Sequence, residues 1–92
     1  MKYQLLLTRS AEKDLRKIRK GSAPDFKRIL QALQDIERDP YQHPQTKALQ
    51  GRAEDRRYRV GGYRILYSVT EQTITVEVFR IGTRGDVYKS LN

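Results

Sequence analysis

The chain has 92 residues, 37% hydrophobic and 33% charged, which suits one globular domain spanning 1–92 with a modest core and argues against disorder. A formal charge of +8 points to a polyanionic partner: nucleic acid, an anionic membrane or an acidic protein. Zero cysteines exclude disulfides, thiol catalysis and thiolate-bound zinc, and with one histidine the sequence offers no dedicated metal or cofactor site.

Residues 3–8 alternate, with Tyr3, Leu5 and Leu7 on one face, and predict a first strand. Leu6 on the other face predicts that this side is also partly covered. Ser10 is positioned to cap a helix over about residues 11–20, with Glu12 in its first turn and Lys17, Arg19 and Lys20 in its last. Ala11, Leu15 and Ile18 give that helix a narrow apolar stripe, and Gly21 stops it. Ser22 and Asp25 resemble a capping box for a second helix, whose first turn tolerates Pro24. Phe26, Ile29, Leu30, Leu33 and Ile36 form a wide apolar face, and Asp39-Pro40 ends it. Residues 39–50 read as a loop. His43 lies there beside a proline with no carboxylate near in sequence, and reads as a solvated side chain rather than a general base.

The segment RYRVGGYRILYS, residues 57–68, is the strongest local signal. Two alternating runs flank Gly61-Gly62, and a two-residue turn there pairs Val60 with Tyr63, Arg59 with Arg64, Tyr58 with Ile65 and Arg57 with Leu66. Tyr58, Val60, Tyr63, Ile65 and Tyr67 then share one face, and Arg57, Arg59 and Arg64 share the other. A further two-residue turn at Glu71-Gln72 would set Ile65, Tyr67 and Val69 beside Val78, Val76 and Ile74, with Arg64 opposite Phe79. Residues 82–85 break the last strand, and 86–88 could add a short final segment. The predicted class is α+β: two N-terminal helices packed on one face of a small antiparallel sheet, in the order β-α-α-β-β-β.

A cluster of charge is most often a solvated face. These arginines, however, occupy strand centres, where like charges opposite each other are mildly destabilising and threonine would serve folding better. That placement suggests an anion site, with Arg84 and Tyr88 following a short loop. Tyr88 reads equally well as a packing aromatic.

The pattern RYRVGGYRILYSV, followed by VEVFRIGTRGDVYK, resembles the C-terminal half of the RelE/ParE family of bacterial toxins, and the first strand with SAEKDLRKI is similar to it too. RelE-like members are ribosome-dependent endoribonucleases that cleave messenger RNA in the decoding site. They are held inactive by a RelB-like antitoxin with an acidic segment, and operator DNA is reached only through that antitoxin. ParE-like members share the fold but inhibit DNA gyrase and lack the basic catalytic set. Carried onto this sequence, the RelE set falls on Arg57 and Arg59 before the turn, Arg64 after it, Arg84, and Tyr88.

That full set implies the RelE branch, with Arg59, Arg64, Arg84 and Tyr88 catalytic and Arg57 and Arg59 binding RNA phosphate. A ParE-type gyrase inhibitor and a plain basic nucleic-acid-binding module are the alternatives, although the latter lacks an exposed stacking platform. Two departures stand out. Some RelE enzymes carry lysine where Arg57 and Arg59 stand, and relatives often carry histidine at Thr83. Arginine does not readily give up its proton, so these changes spare anion binding but not the acid–base assignment. No run is long enough to span a bilayer and no signal-peptide pattern follows Met1, so a cytoplasmic location without a membrane partner is expected.

Overall fold

The computed structural model describes residues 2–83; the predicted segment at 86–88, with Arg84 and Tyr88, lies outside them. Strand β1 (Gln4–Leu7) leads through Thr8 into α1 (Arg9–Gly21) and α2 (Ala23–Arg38). Then follow β2 (Thr46–Leu49), β3 (Arg52–Val60), β4 (Tyr63–Thr70) and β5 (Thr75–Thr83). The strands form one sheet in the order β1-β5-β4-β3-β2. The α+β class holds, with two differences in the sheet. It has a fifth strand, β2, and it is mixed, because β1 runs parallel to β5, with Leu5 beside Val76 and Leu7 beside Val78.

Helix α1 begins earlier than the sequence suggested. Thr8, not Ser10, is its N-cap, and the Thr8 hydroxyl accepts the Ala11 N–H at 3.2 Å. Ser22 caps α2 as predicted, accepting from the Asp25 N–H at 3.3 Å, with Pro24 in the first turn. Ala11 and Ile18 of α1 and Ile29, Ala32, Leu33 and Ile36 of α2 close over Tyr58, Ile65, Tyr67, Val69, Val76, Val78 and Ile81 of the sheet. Each fully buried aliphatic side chain contributes about 1.5–3 kcal/mol relative to exposure. Leu30 falls off the predicted stripe and is 38% exposed, and Leu6 is 43% exposed, so its face of β1 is open rather than partly covered.

The β3–β4 hairpin has the expected register throughout: Val60 with Tyr63, Arg59 with Arg64, Tyr58 with Ile65, Arg57 with Leu66. Only Gly61 takes a positive φ, +56°, the pattern of a type II′ turn. The β4–β5 register differs from the sequence reading. The connection is a 3₁₀ turn over Glu71–Thr73 followed by Ile74 at φ +50°, so Thr70 pairs with Thr75 and Val69 with Val76. A bulge then sets Tyr67 opposite Val78 but Leu66 opposite Arg80, leaving Phe79 as the extra residue. That insertion returns Ile81 to the core beside Ile65. It also brings Gly82, not Phe79, opposite Arg64.

Beyond the end of β1, the edge of β5 is covered by α1. Asp14 accepts the Ile81 N–H at 2.9 Å and lies 3.3 Å from the Arg80 Nε, which satisfies an edge amide that no strand reaches. His43 is half-buried rather than freely solvated. Its Nε2 donates to the Asp35 carbonyl at 2.9 Å and its ring meets Tyr58 edge-on, tying the loop to the end of α2.

Candidate functional site

Alternation in β3 and β4 turns Arg57, Arg59 and Arg64 to the face away from the helices, as the sequence predicted. The three converge on one open groove of about 720 Å³, lined also by Lys47, Ala48, Leu49 and Gln50. Lys47 enters because β2 pairs antiparallel with β3 and sets it directly beside Arg57. Its contribution is not visible in the sequence, because TKAL is a short edge strand without alternation and its pattern predicts a loop.

No carboxylate lines the groove among the described residues. The arginines are steadied by neutral carbonyls instead. Arg57 Nη1 donates to the Gln45 carbonyl at 2.7 Å, the same oxygen that accepts the Arg59 N–H at 3.1 Å. Arg64 Nη1 donates to the Tyr63 carbonyl at 3.1 Å. The Arg59 guanidinium is exposed and has no hydrogen-bond or ion-pair partner among the described residues. A carbonyl orients a guanidinium without cancelling its charge, so several positive charges stay available to an anion that would satisfy the remaining N–H donors. Gly82 opposite Arg64 adds no side chain to crowd it.

Proton transfer is another matter. Guanidiniums stay charged, and the described lining contains no histidine or acid. The tyrosines of the hairpin face the other way. Burial, with Asp35 beside it, pushes the Tyr58 phenol up to about 12. A hydrogen bond to Asp25 raises Tyr63, and burial raises Tyr67. The described part of the site can therefore bind and polarise a phosphate, and the Lys47 ammonium is its one side chain able to give up a proton. Of the predicted set, Arg57, Arg59 and Arg64 come together; Arg84 and Tyr88 lie outside the described residues.

Residues 5–88 match the family model described as "ParE toxin of type II toxin-antitoxin system, parDE". The chain belongs to this toxin family. Similar solved structures carry both halves of the RelE/ParE name. A RelBE toxin–antitoxin complex from Mycobacterium tuberculosis is 26% identical, with TM-score 0.76, over 91% of this chain and all of that one (100%). The RelE–RelB complex from Pyrococcus horikoshii is 22% identical, with TM-score 0.77, over 92% and 98% of the two chains. A YoeB/ParE toxin from Agrobacterium tumefaciens is 20% identical, with TM-score 0.78, over 88% and 98%. At such identities the last two speak for the fold alone. A search of curated proteins by sequence gives no match. The protein is thus a type II toxin of the RelE/ParE superfamily, with an arginine groove on the sheet face opposite its helices.

Proposed function

We propose that this toxin is a ribosome-dependent endoribonuclease, and that the groove holds the backbone of messenger RNA. The observation that carries the reading is the convergence of Arg57, Arg59 and Arg64, with Lys47, on one surface free of carboxylates. A gyrase-binding surface has no evident need for such a set, whereas phosphoryl chemistry needs cations where charge develops.

The ribose 2′-oxygen attacks the adjacent phosphorus as the bond to the 5′-oxygen breaks, giving a cyclic phosphate, and the departing 5′-oxygen takes a proton from water to become a free 5′-hydroxyl. Arg64 and Arg84 stabilise the phosphorane oxygens. Arg57 and Arg59 bind phosphate and orient the strand, with Arg59 close enough to Arg64 to share the first task. Tyr88 is assigned the proton from the 2′-hydroxyl, since clustered positive charge favours its phenolate. With no strong base in the described groove, the ribosome completes the site, and the toxin works in the cytoplasm where translation occurs. The same unpaired charge suits a RelB-like antitoxin whose acidic segment orders on binding.

Primer-extension mapping with and without ribosomes tests this. Cleavage of translated messenger, with naked RNA nearly untouched, supports the reading. The second reading, a gyrase inhibitor, is favoured by the name of the matching family model. Blocked supercoiling by purified gyrase without any RNA cleavage would establish it instead.

A further inference from the structure

Helix α1 carries a second basic surface. At 3.6 residues per turn, Arg9, Lys13, Arg16, Lys17 and Lys20 fall within an arc of about 100° and run for about 16 Å along the axis. All five are exposed. The other side of the helix holds Ala11 and Ile18, both buried against the sheet. The stripe therefore looks out from the helix layer, while the arginine groove opens on the far face of the sheet.

None of the five has a hydrogen-bond or ion-pair partner among the described residues. Of the two acids on α1, Asp14 is engaged by Arg80 and the Ile81 N–H, and Glu12 lies at the margin of the arc. Arg9 and Lys13, Lys13 and Lys17, and Arg16 and Lys20 are like-charge neighbours four apart, each pair mildly destabilising to a helix. Arg9 also sits in the first turn, where the helix dipole disfavours a cation. Interleaved acids would keep the helix as soluble without these repulsions.

We propose that this stripe binds the phosphate backbone of double-helical RNA, at a site separate from the groove. The chemistry on the stripe favours that occupant. It has no large apolar side chain, so neither a membrane surface nor an amphipathic peptide finds an anchor. The nearest apolar pair, Leu15 and Phe26 between the helices, lies to one side, with the Arg19 guanidinium 5.9 Å from the Phe26 ring centre. Arginine and lysine can also read guanine in a DNA major groove, so a DNA duplex is the competing occupant that the test includes. Phosphate contact without base reading is the usual way an RNA helix is held. The proposal does not rest on the nuclease reading, since a gyrase inhibitor with this helix would carry the same stripe.

The test is fluorescence anisotropy of the full chain with a short labelled RNA duplex across a salt series. The triple variant Lys13→Gln, Lys17→Gln, Lys20→Gln keeps residues of good helix propensity. It should bind the duplex about tenfold or more weakly at low salt, with a log–log salt dependence shallower by roughly two to three, as for the loss of three phosphate contacts. Its melting temperature should hold or rise. Lys27→Gln, an exposed lysine of α2 outside both the stripe and the groove, should leave duplex binding nearly unchanged. The proposal is overturned if the triple variant binds as the parent does, or if Lys27→Gln weakens duplex binding as much as the stripe variant does. It is equally overturned if polyglutamate displaces the duplex at equal charge, or if a DNA duplex of the same sequence binds more tightly.

Discussion

Arg59 and Arg64 stand directly opposite each other, each raising the electrostatic cost of its neighbour, and neither has an ion pair among the described residues. Replacing either by glutamine removes that repulsion and buries nothing, so stability should hold or rise by less than about 1 kcal/mol in denaturant melts. Tyr67 belongs to the other class. It is fully buried, its hydroxyl donates to the Pro40 carbonyl at 2.7 Å, and the Thr46 hydroxyl meets it at 2.5 Å. Tyr67→Phe leaves the buried Pro40 carbonyl without its donor, while Thr46 keeps the Arg56 Nε at 3.3 Å, and should destabilise by about 1–3 kcal/mol. A loss of that size from Arg59→Gln would mean that the arginine supports the fold. The division between the two faces was legible from alternation alone, because a hairpin with a two-residue turn leaves no freedom of register. Lys47 was not legible, since its inclusion depends on a long-range pairing that leaves no local period in the sequence.

Among the elements, the hairpin turn is the one the sequence specified most fully. Its two glycines are nevertheless unequal. Gly61 has φ +56° and Gly62 does not, and a Cβ at Gly61 would meet only the Arg28 Nη1 at an ordinary 3.8 Å. Any penalty at Gly61 is therefore conformational. Gly61→Ala should cost about 1–2 kcal/mol, and Gly62→Ala well under that, by thermal or denaturant unfolding. Equal effects would contradict the turn geometry. The β4–β5 connection was read less well for a physical reason. A β-branched residue at positive φ, such as Ile74, is uncommon and gives no sequence warning, and the bulge at Phe79 restores the apolar pattern that a simple count would break. The early start of α1 has a similar origin, since both Thr8 and Ser10 are good caps and only the path out of β1 selects between them.

Across the whole molecule, tyrosine hydroxyls tie the layers together. Tyr3 and Tyr41 donate to Glu71, Tyr58 to Asp35, Tyr63 to Asp25 and Tyr67 to Pro40. Every one of these phenols is raised. The acceptor carboxylate is the main cause at Tyr3 and Tyr63, and burial leads at Tyr41, Tyr58 and Tyr67. A raised phenol pKa favours the neutral form in the folded state. The stabilisation is therefore complete below the ordinary value of about 10 and is lost as pH climbs through the folded values, about 12 for Tyr58. Tyrosinate absorbance of the folded protein should show these five titrating above 10. In a Tyr88→Phe protein, which keeps only these five tyrosines, any ionisation below 10 would contradict the assignment.

The proposed reaction needs the arginine groove to act on phosphate while the ribosome completes the site. Ribosome-dependent cleavage by Arg64→Gln, read by primer extension beside a melting curve of the same sample, measures this directly. The expected result is a protein as stable as the parent whose cleavage rate falls by about 100-fold or more, as for loss of one preorganised charge-stabilising donor. A folded Arg64→Gln protein that cleaves at the full rate would contradict it.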